Sequence, residues 1–219
     1  DRGPTRDYNS SISPDGTKLA SLATKQGQDI IVIRDIEGGV LKEISSIGSP
    51  DPKSPPCWSP DGVRLSYVSG GDIWILNADG TNRINLTNSP AIDALALGNA
   101  GHGQMDPACL DDAVWSPDGK SVLYHRGLGG GQNILTLASI DGTISRNLTP
   151  PGRWRNVTFS PNGDKIVFDD NLGGSGLSMV DPDGQNLMKV GKTATDFNPR
   201  FSPDGTKFCY TVGLLGPLM

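Results

Sequence analysis

Residues able to do chemistry are sparse in this 219-residue chain, and they crowd into one stretch, 91–112 (AIDALALGNAGHGQMDPACLDD). It holds His102, one of only two histidines, with Asp93, Asp106, Cys109, Asp111 and Asp112. Imidazole, thiolate and carboxylate groups can together hold a cation. However, His102, Asp106 and Cys109 fit no tight ligand spacing, and a Ca²⁺ loop needs several oxygens converging from a defined turn. Neither a metal nor a cofactor is therefore expected. A loop of this length within a compact domain is functional or is an insertion resting on its neighbours. If it is functional, His102, Asp106, Asp111 and Asp112 are its candidate ligand contacts. A second group, Trp154, Arg155 and Asn156, is matched by Phe197 and Asn198 and by Tyr8 and Asn9. Aromatic surface beside amide and guanidinium groups suits a peptide, a sugar or a partner's extended segment, or it simply solvates a channel mouth.

Catalytic motifs are not found. The chain has no GxSxG elbow and no HExxH, and neither His102 nor His125 stands beside a nucleophile in a recognisable motif. Asp169 and Asp170 are adjacent acids, but neighbours on a strand point to opposite faces and cannot jointly flank one bond. They read as the start of a solvated loop. No catalytic residue is assigned, and enzymatic activity is not the expectation. The net charge of -5 and pI near 4.9 argue against nucleic-acid binding, which needs clustered Lys and Arg. No apolar run approaches the length of a membrane-spanning helix, and the first residues do not resemble a signal peptide, which a mature or excised chain would also lack. Three cysteines, Cys57, Cys109 and Cys209, form no CxxC pair and leave the redox compartment open.

What positions these groups follows from the chain's punctuation. Gly 29 and Pro 17 make up about a fifth of the residues, too many for long helices. Their placement is periodic. Ser-Pro-Asp-Gly occurs at Ser13–Gly16, Ser59–Gly62, Ser116–Gly119 and Ser202–Gly205, with Ser160-Pro161-Asn162-Gly163 as a near copy, at spacings of 46, 57, 44 and 42 residues. Pro presets φ at the second turn position, Asp or Asn suits the third, and Gly accepts positive φ. A large apolar residue precedes each Ser (Ile12, Trp58, Trp115, Phe159, Phe201). Leu19, Leu65, Val122, Ile166 and Phe208 follow three residues after each Gly, with alternation beyond them. Each turn therefore joins two strands. A second hairpin follows in the first four copies, turning at Glu37-Gly38, Asp79-Gly80, Asp141-Gly142 and Asp183-Gly184, and leading to short strands such as 83–87 (RINLT) and 146–149 (RNLT). Four antiparallel strands in about 44 residues is the content of one propeller blade.

The aromatic-SPDG-strand signature, with a second hairpin of the NADGTNRINLT type at 77–87, resembles the TolB-like β-propeller repeats over 8–212. The Gly-His and Trp-Asp signatures of WD40 repeats are absent, and there is no room before Tyr8 for the α/β domain that TolB itself carries. The expectation is an all-β chain forming one propeller domain over 1–219. Its blades are expected near 8–50, 54–90, 111–150 and 155–193, with an incomplete fifth at 197–219. The resemblance further implies a piece of a six-bladed ring with an exposed blade edge suited to self-association. It also implies a non-catalytic binding platform for a protein, peptide or carbohydrate, in the periplasm or outside the cell, with no nucleic acid and no membrane span. The alternatives are the gating propeller of a prolyl-oligopeptidase-like serine peptidase and a propeller enzyme acting on sugars or lactones. Four N-x-S/T sequons occur, at Asn9, Asn85, Asn147 and Asn156, two of them within the repeat's own NLT segment.

Overall fold

A computed structural model describes residues 7–48, 55–88, 113–170, 176–193 and 196–212. His102, Asp106, Asp111 and Asp112, with the insertion that carries them, lie outside the described residues.

The two hairpins of each repeat build one antiparallel sheet. The first contains β1 (Asp7–Ile12), β2 (Lys18–Lys25), β3 (Gln28–Asp35) and β4 (Val40–Ile44), and the second β5 (Cys57–Trp58), β6 (Arg64–Ser69), β7 (Asp72–Asn77) and β8 (Ile84–Asn85). The third contains β9 (Ala113–Trp115), β10 (Ser121–Gly129), β11 (Gln132–Ser139) and β12 (Ser145–Asn147), and the fourth β13 (Arg155–Phe159), β14 (Ile166–Asp170), β15 (Gly176–Val180) and β16 (Met188–Lys189). All four are four-stranded in sequence order, and β17 (Phe197–Phe201) and β18 (Phe208–Thr211) form a two-stranded fifth sheet. These are the blades of an all-β propeller.

The SPDG turn holds its shape through one carboxylate. In the first blade the Asp15 Oδ1 atom accepts from Ser13 Oγ at 2.6 Å, from Thr17 N at 3.0 Å and from Thr17 Oγ1 at 2.8 Å, while Lys18 N donates to Ser13 Oγ. Gly16, at φ 71°, closes the turn by donating its N–H to Ser13 O. The serine and backbone bonds recur around Asp61, Asp118 and Asp204, and the threonine hydroxyl bond recurs at Asp204 alone of the three. In the fourth copy Asn162 replaces the Asp, and Asp164, two residues on, accepts from Ser160 Oγ instead at 2.9 Å. The hydroxyl and amide bonds hold the carboxyls of Asp15 and Asp141 down to about 2, with the Ser13 and Ser139 hydroxyls the largest cause in each case.

The outer strands are shorter than the RINLT and RNLT segments suggest, because a side chain takes over the ladder. Leu86 N still donates to Ile73 O, but Ile73 N donates to Thr87 Oγ1 rather than to a carbonyl. Leu148, Leu135 and Thr149 repeat the arrangement one blade on. This is why NLT recurs.

The core lies between blades. Leu22, Ile31 and Ile33 of the first blade pack against Trp58, Leu65, Tyr67 and Leu76 of the second. The other face of the second blade, Val68, Ile73 and Ile75, meets Trp115, Val122 and Tyr124 of the third. Leu123 and Leu135 then meet Phe159, Ile166 and Phe168 of the fourth. Both faces of an inner blade are thus buried, which the near-continuous apolar runs of β7 and β11 allow. Polar clasps cross the same gaps: Trp58 Nε1 donates to Ser11 O at 3.2 Å, and Trp115 Nε1 to Ser66 Oγ at 3.0 Å. The Arg64 guanidinium lies 5.6 Å over the Trp115 ring.

Successive SPDG turns also touch. A Cβ in place of the glycine hydrogen would stand 3.8 Å from Pro14 Cδ at Gly62 and 3.8 Å from Pro60 Cδ at Gly119. The corresponding distances are 3.5 Å from Pro117 Cδ at Gly163 and 3.3 Å from Pro161 Cδ at Gly205. The proline of each turn therefore seats the glycine of the next. This row of turns makes one rim, and the DG turns share it: Ala78 N donates to Val63 O and Ile140 N to Lys120 O.

Candidate functional site

The opposite rim carries the connections between blades, and there the second group of candidates is found. On β13 and β17 the register slips by a bulge, between Arg155 and Thr158 and between Phe197 and Arg200. The residues at the slips, Asn156 (φ 47°) and Asn198 (φ 59°), are left-handed, a conformation that Asn tolerates better than other side-chain-bearing residues. β1 slips at the same point, between Tyr8 and Ser10. Asn9, Asn156 and Asn198 each stand four residues before the turn serine, so the sequence does mark the bulge.

Asp169 joins two of these bulges. Its Oδ2 accepts from Asn156 Nδ2 at 2.7 Å within the fourth blade and from the backbone N–H of Asn198 at 2.7 Å across the gap to the fifth. Its side chain is fully buried, so Asp169 does not begin a solvated loop, as its sequence neighbourhood suggests. The reason is positional. Asp169 follows Phe168 on the face turned toward the next blade, where Val68 and His125 also lie buried. Burying a carboxyl is tolerated where strong donors meet it.

The other candidates divide by exposure. Trp154 is buried: its ring packs edge-on against Phe168 at 5.2 Å, its Nε1 donates to Pro150 O at 2.8 Å, and its carbonyl accepts from Asn133 Nδ2 at 3.1 Å. Its indole also covers Gly152, where a Cβ would fall within 2.4 Å of the ring. Asn156 is equally enclosed. Its amide is committed to Asp169, which makes its sequon a structural segment, while Nδ2 of Asn85 is committed to Asp72 at 2.7 Å. Arg155, Phe197 and Asn198 are partly exposed. Asp196, just before Phe197, holds the turn beneath it: its Oδ2 accepts from Lys192 N at 2.7 Å and Thr193 N at 2.9 Å, and its Oδ1 from Thr193 Oγ1 at 2.6 Å. These bonds, the Thr193 hydroxyl first, hold its carboxyl below the usual range.

Sequence reasoning places Asn156 and Asn198 at the mouth but does not find their link through Asp169, nor the role of Asn133. Among the described residues no group of three or more His, Cys, Asp and Glu could hold a metal ion, and no helix is long and apolar enough to cross a membrane. Cys57 is disulfide-bonded and Cys209 is a free, exposed thiol.

Four-stranded antiparallel blades packed face to face, with one rim of uniform turns and one of variable connections, define a β-propeller. The chain belongs to the TolB β-propeller domain family, whose model matches residues 8–214. It is 28% identical over 216 residues to an uncharacterized peptidase of Bacillus subtilis, a match covering 92% of this chain and 29% of that protein. TolB of Acinetobacter baumannii superposes with a TM-score of 0.58 at 20% identity, over 93% of this chain and 48% of the other, a distance that sets this chain apart from TolB itself. An oligogalacturonate lyase of Vibrio parahaemolyticus superposes with a TM-score of 0.68 at 14% identity, over 96% of this chain and 59% of the other. The chain thus spans less than two thirds of each of these three proteins. At these identities the two structural likenesses speak for the fold alone.

Proposed function

We propose that the chain is a non-catalytic propeller serving as a rigid binding platform for an extended protein or peptide segment, in a periplasmic or extracellular setting. The observation that carries this reading is the use to which the connection rim puts its polar groups. Asp169, Asn156 and Trp154 are buried and hold the wall together, while Arg155, Phe197 and Asn198 are partly exposed beside them. A rigid wall presenting a guanidinium, an aromatic ring and an amide suits recognition, because little conformational entropy is lost on binding. Membership of the TolB family and the disulfide at Cys57 both favour an oxidising compartment outside the cytoplasm.

The test is quantitative capture from the source organism's periplasmic or secreted fraction by the intact gene product, followed by affinity measurement for the partner obtained. Arg155→Ala with Phe197→Ala should weaken that partner at least about tenfold, the loss of one good anchor. Affinity unchanged in the double variant would remove the platform reading.

The Bacillus subtilis peptidase supports a second reading, in which the propeller gates a larger serine peptidase. Labelling of the intact gene product by an active-site fluorophosphonate, at a serine outside these 219 residues, would establish it. Absence of labelling together with a rim-dependent partner would favour the platform.

A further inference from the structure

The repeat does not account for Cys57. The residue two places before each turn serine is Ser11, Cys57, Val114, Thr158 and Arg200 in the five blades, so the fold requires no cysteine there. Cys57 is 4% exposed and shares a buried apolar cluster with Val68, Ile73, Ala113 and Trp115, in the wall between the second and third blades. Its neighbours are fixed from the first blade, because Ser11 Oγ donates to Pro56 O and Trp58 Nε1 donates to Ser11 O. One half of a covalent link is therefore rigidly placed. The Cys57 sulfur is disulfide-bonded, whereas Cys209, on the fifth blade, is a free thiol.

We propose that Cys57 is cross-linked to Cys109, and that this bond staples the second blade to the strand that opens the third. Cys109 lies outside the described residues, and two observations on described ones carry the assignment. The first is elimination: the chain has three cysteines, one is bonded and one is free. The second is reach. Ala113 packs in the same cluster as Cys57 and stands four residues after Cys109, a tether of at most about 14 Å. A disulfide holds its two Cα atoms about 4.4–6.8 Å apart, which that tether allows. The bond forms by exchange with a small-molecule disulfide. One protein thiolate attacks it, the second attacks the mixed disulfide, and the oxidant ends as two thiols that carry away the electron pair and the two protons. The link encloses β5 to β8 in a covalent loop of about 50 residues, long enough to restrict the unfolded chain strongly. The staple holds only where thiols are oxidised. It goes beyond the platform reading and does not depend on it, since no partner is involved.

Peptide mapping tests the assignment on the intact gene product, purified without reductant and with its free thiols blocked by iodoacetamide. Tryptic peptides 54–64 and 84–120 should appear as one cross-linked species that separates on reduction, with Cys209 carbamidomethylated. Carbamidomethyl groups on Cys57 and Cys109, or Cys57 linked to any other cysteine, would overturn the proposal. Thermal unfolding gives an independent reading. Reductant should lower the melting temperature of the unaltered protein by at least about 5 °C and leave that of a Cys109→Ser variant in place. Either no shift in the unaltered protein or an equal shift in the variant would contradict the staple.

Discussion

Asp169 shows how one side chain can serve two blades. Replacing it with Ala leaves Asn156 Nδ2 and the Asn198 N–H without their acceptor inside the wall. The expected cost is about 1–3 kcal/mol, read as a lower urea midpoint at unchanged slope. Adding Asn156→Ala should cost less than the sum of the two single changes, because both remove one bond. Gly152→Ala acts by a different route. Its methyl would enter the indole of Trp154, so Trp154 must leave its seat on Phe168, and a loss of about 1–3 kcal/mol is expected, with a change in tryptophan fluorescence. The turn carboxylates give a pH signature. Asp15 and Asp141 titrate near 2 in the folded chain, below the ordinary 3.8, so the folded state binds their protons less readily than the unfolded chain. Their contribution to stability is present above about pH 4 and is lost as the pH falls through 2. Carboxyl ¹³C titration should place both midpoints near 2, and Ser13→Ala should move that of Asp15 upward while leaving Asp141 in place.

At the scale of elements, the turns were the most legible part of the sequence. Pro, Asp and Gly at fixed offsets dictate backbone angles locally, so five hairpins could be read without knowledge of their neighbours, as could the DG turns and the strand alternation around them. The contact between consecutive turns was not legible, because it joins residues more than forty positions apart. It predicts a graded response to one substitution. Gly16→Ala meets only the strain of a left-handed residue, about 1–2 kcal/mol. Gly205→Ala meets the same strain and also Pro161 Cδ at 3.3 Å, and should be the more damaging of the two in thermal unfolding. Equal losses would mean that the glycine serves the turn alone.

For the whole molecule, burial depends on which blade stands next to which, and the repeat encodes this only in part. The column Ile12, Trp58, Trp115, Phe159 and Phe201 reads as buried, and it is so at Trp58, Trp115 and Phe159 but not at Ile12, which is exposed, or at Phe201, which is half-buried; nothing in the sequence around Asp169 distinguishes a clasp inside the wall from an acid in a loop. Recognition of the mouth residues was likewise partial. Asn156 and Asn198 were identifiable by type and spacing, but their division into structural and exposed groups required the fold. In the proposed reading the two rims have opposite duties: repeated turns hold the blades in register on one, and the variable connections of the other would meet a partner. The most direct measurement is calorimetric titration of the captured partner into three proteins: the unaltered chain, the Arg155→Ala/Phe197→Ala variant of the connection rim, and a Lys120→Ala/Lys207→Ala variant of the turn rim. Binding at least about tenfold weaker is expected for the first variant and unchanged binding for the second. Weakened binding confined to the turn-rim variant would overturn the platform reading.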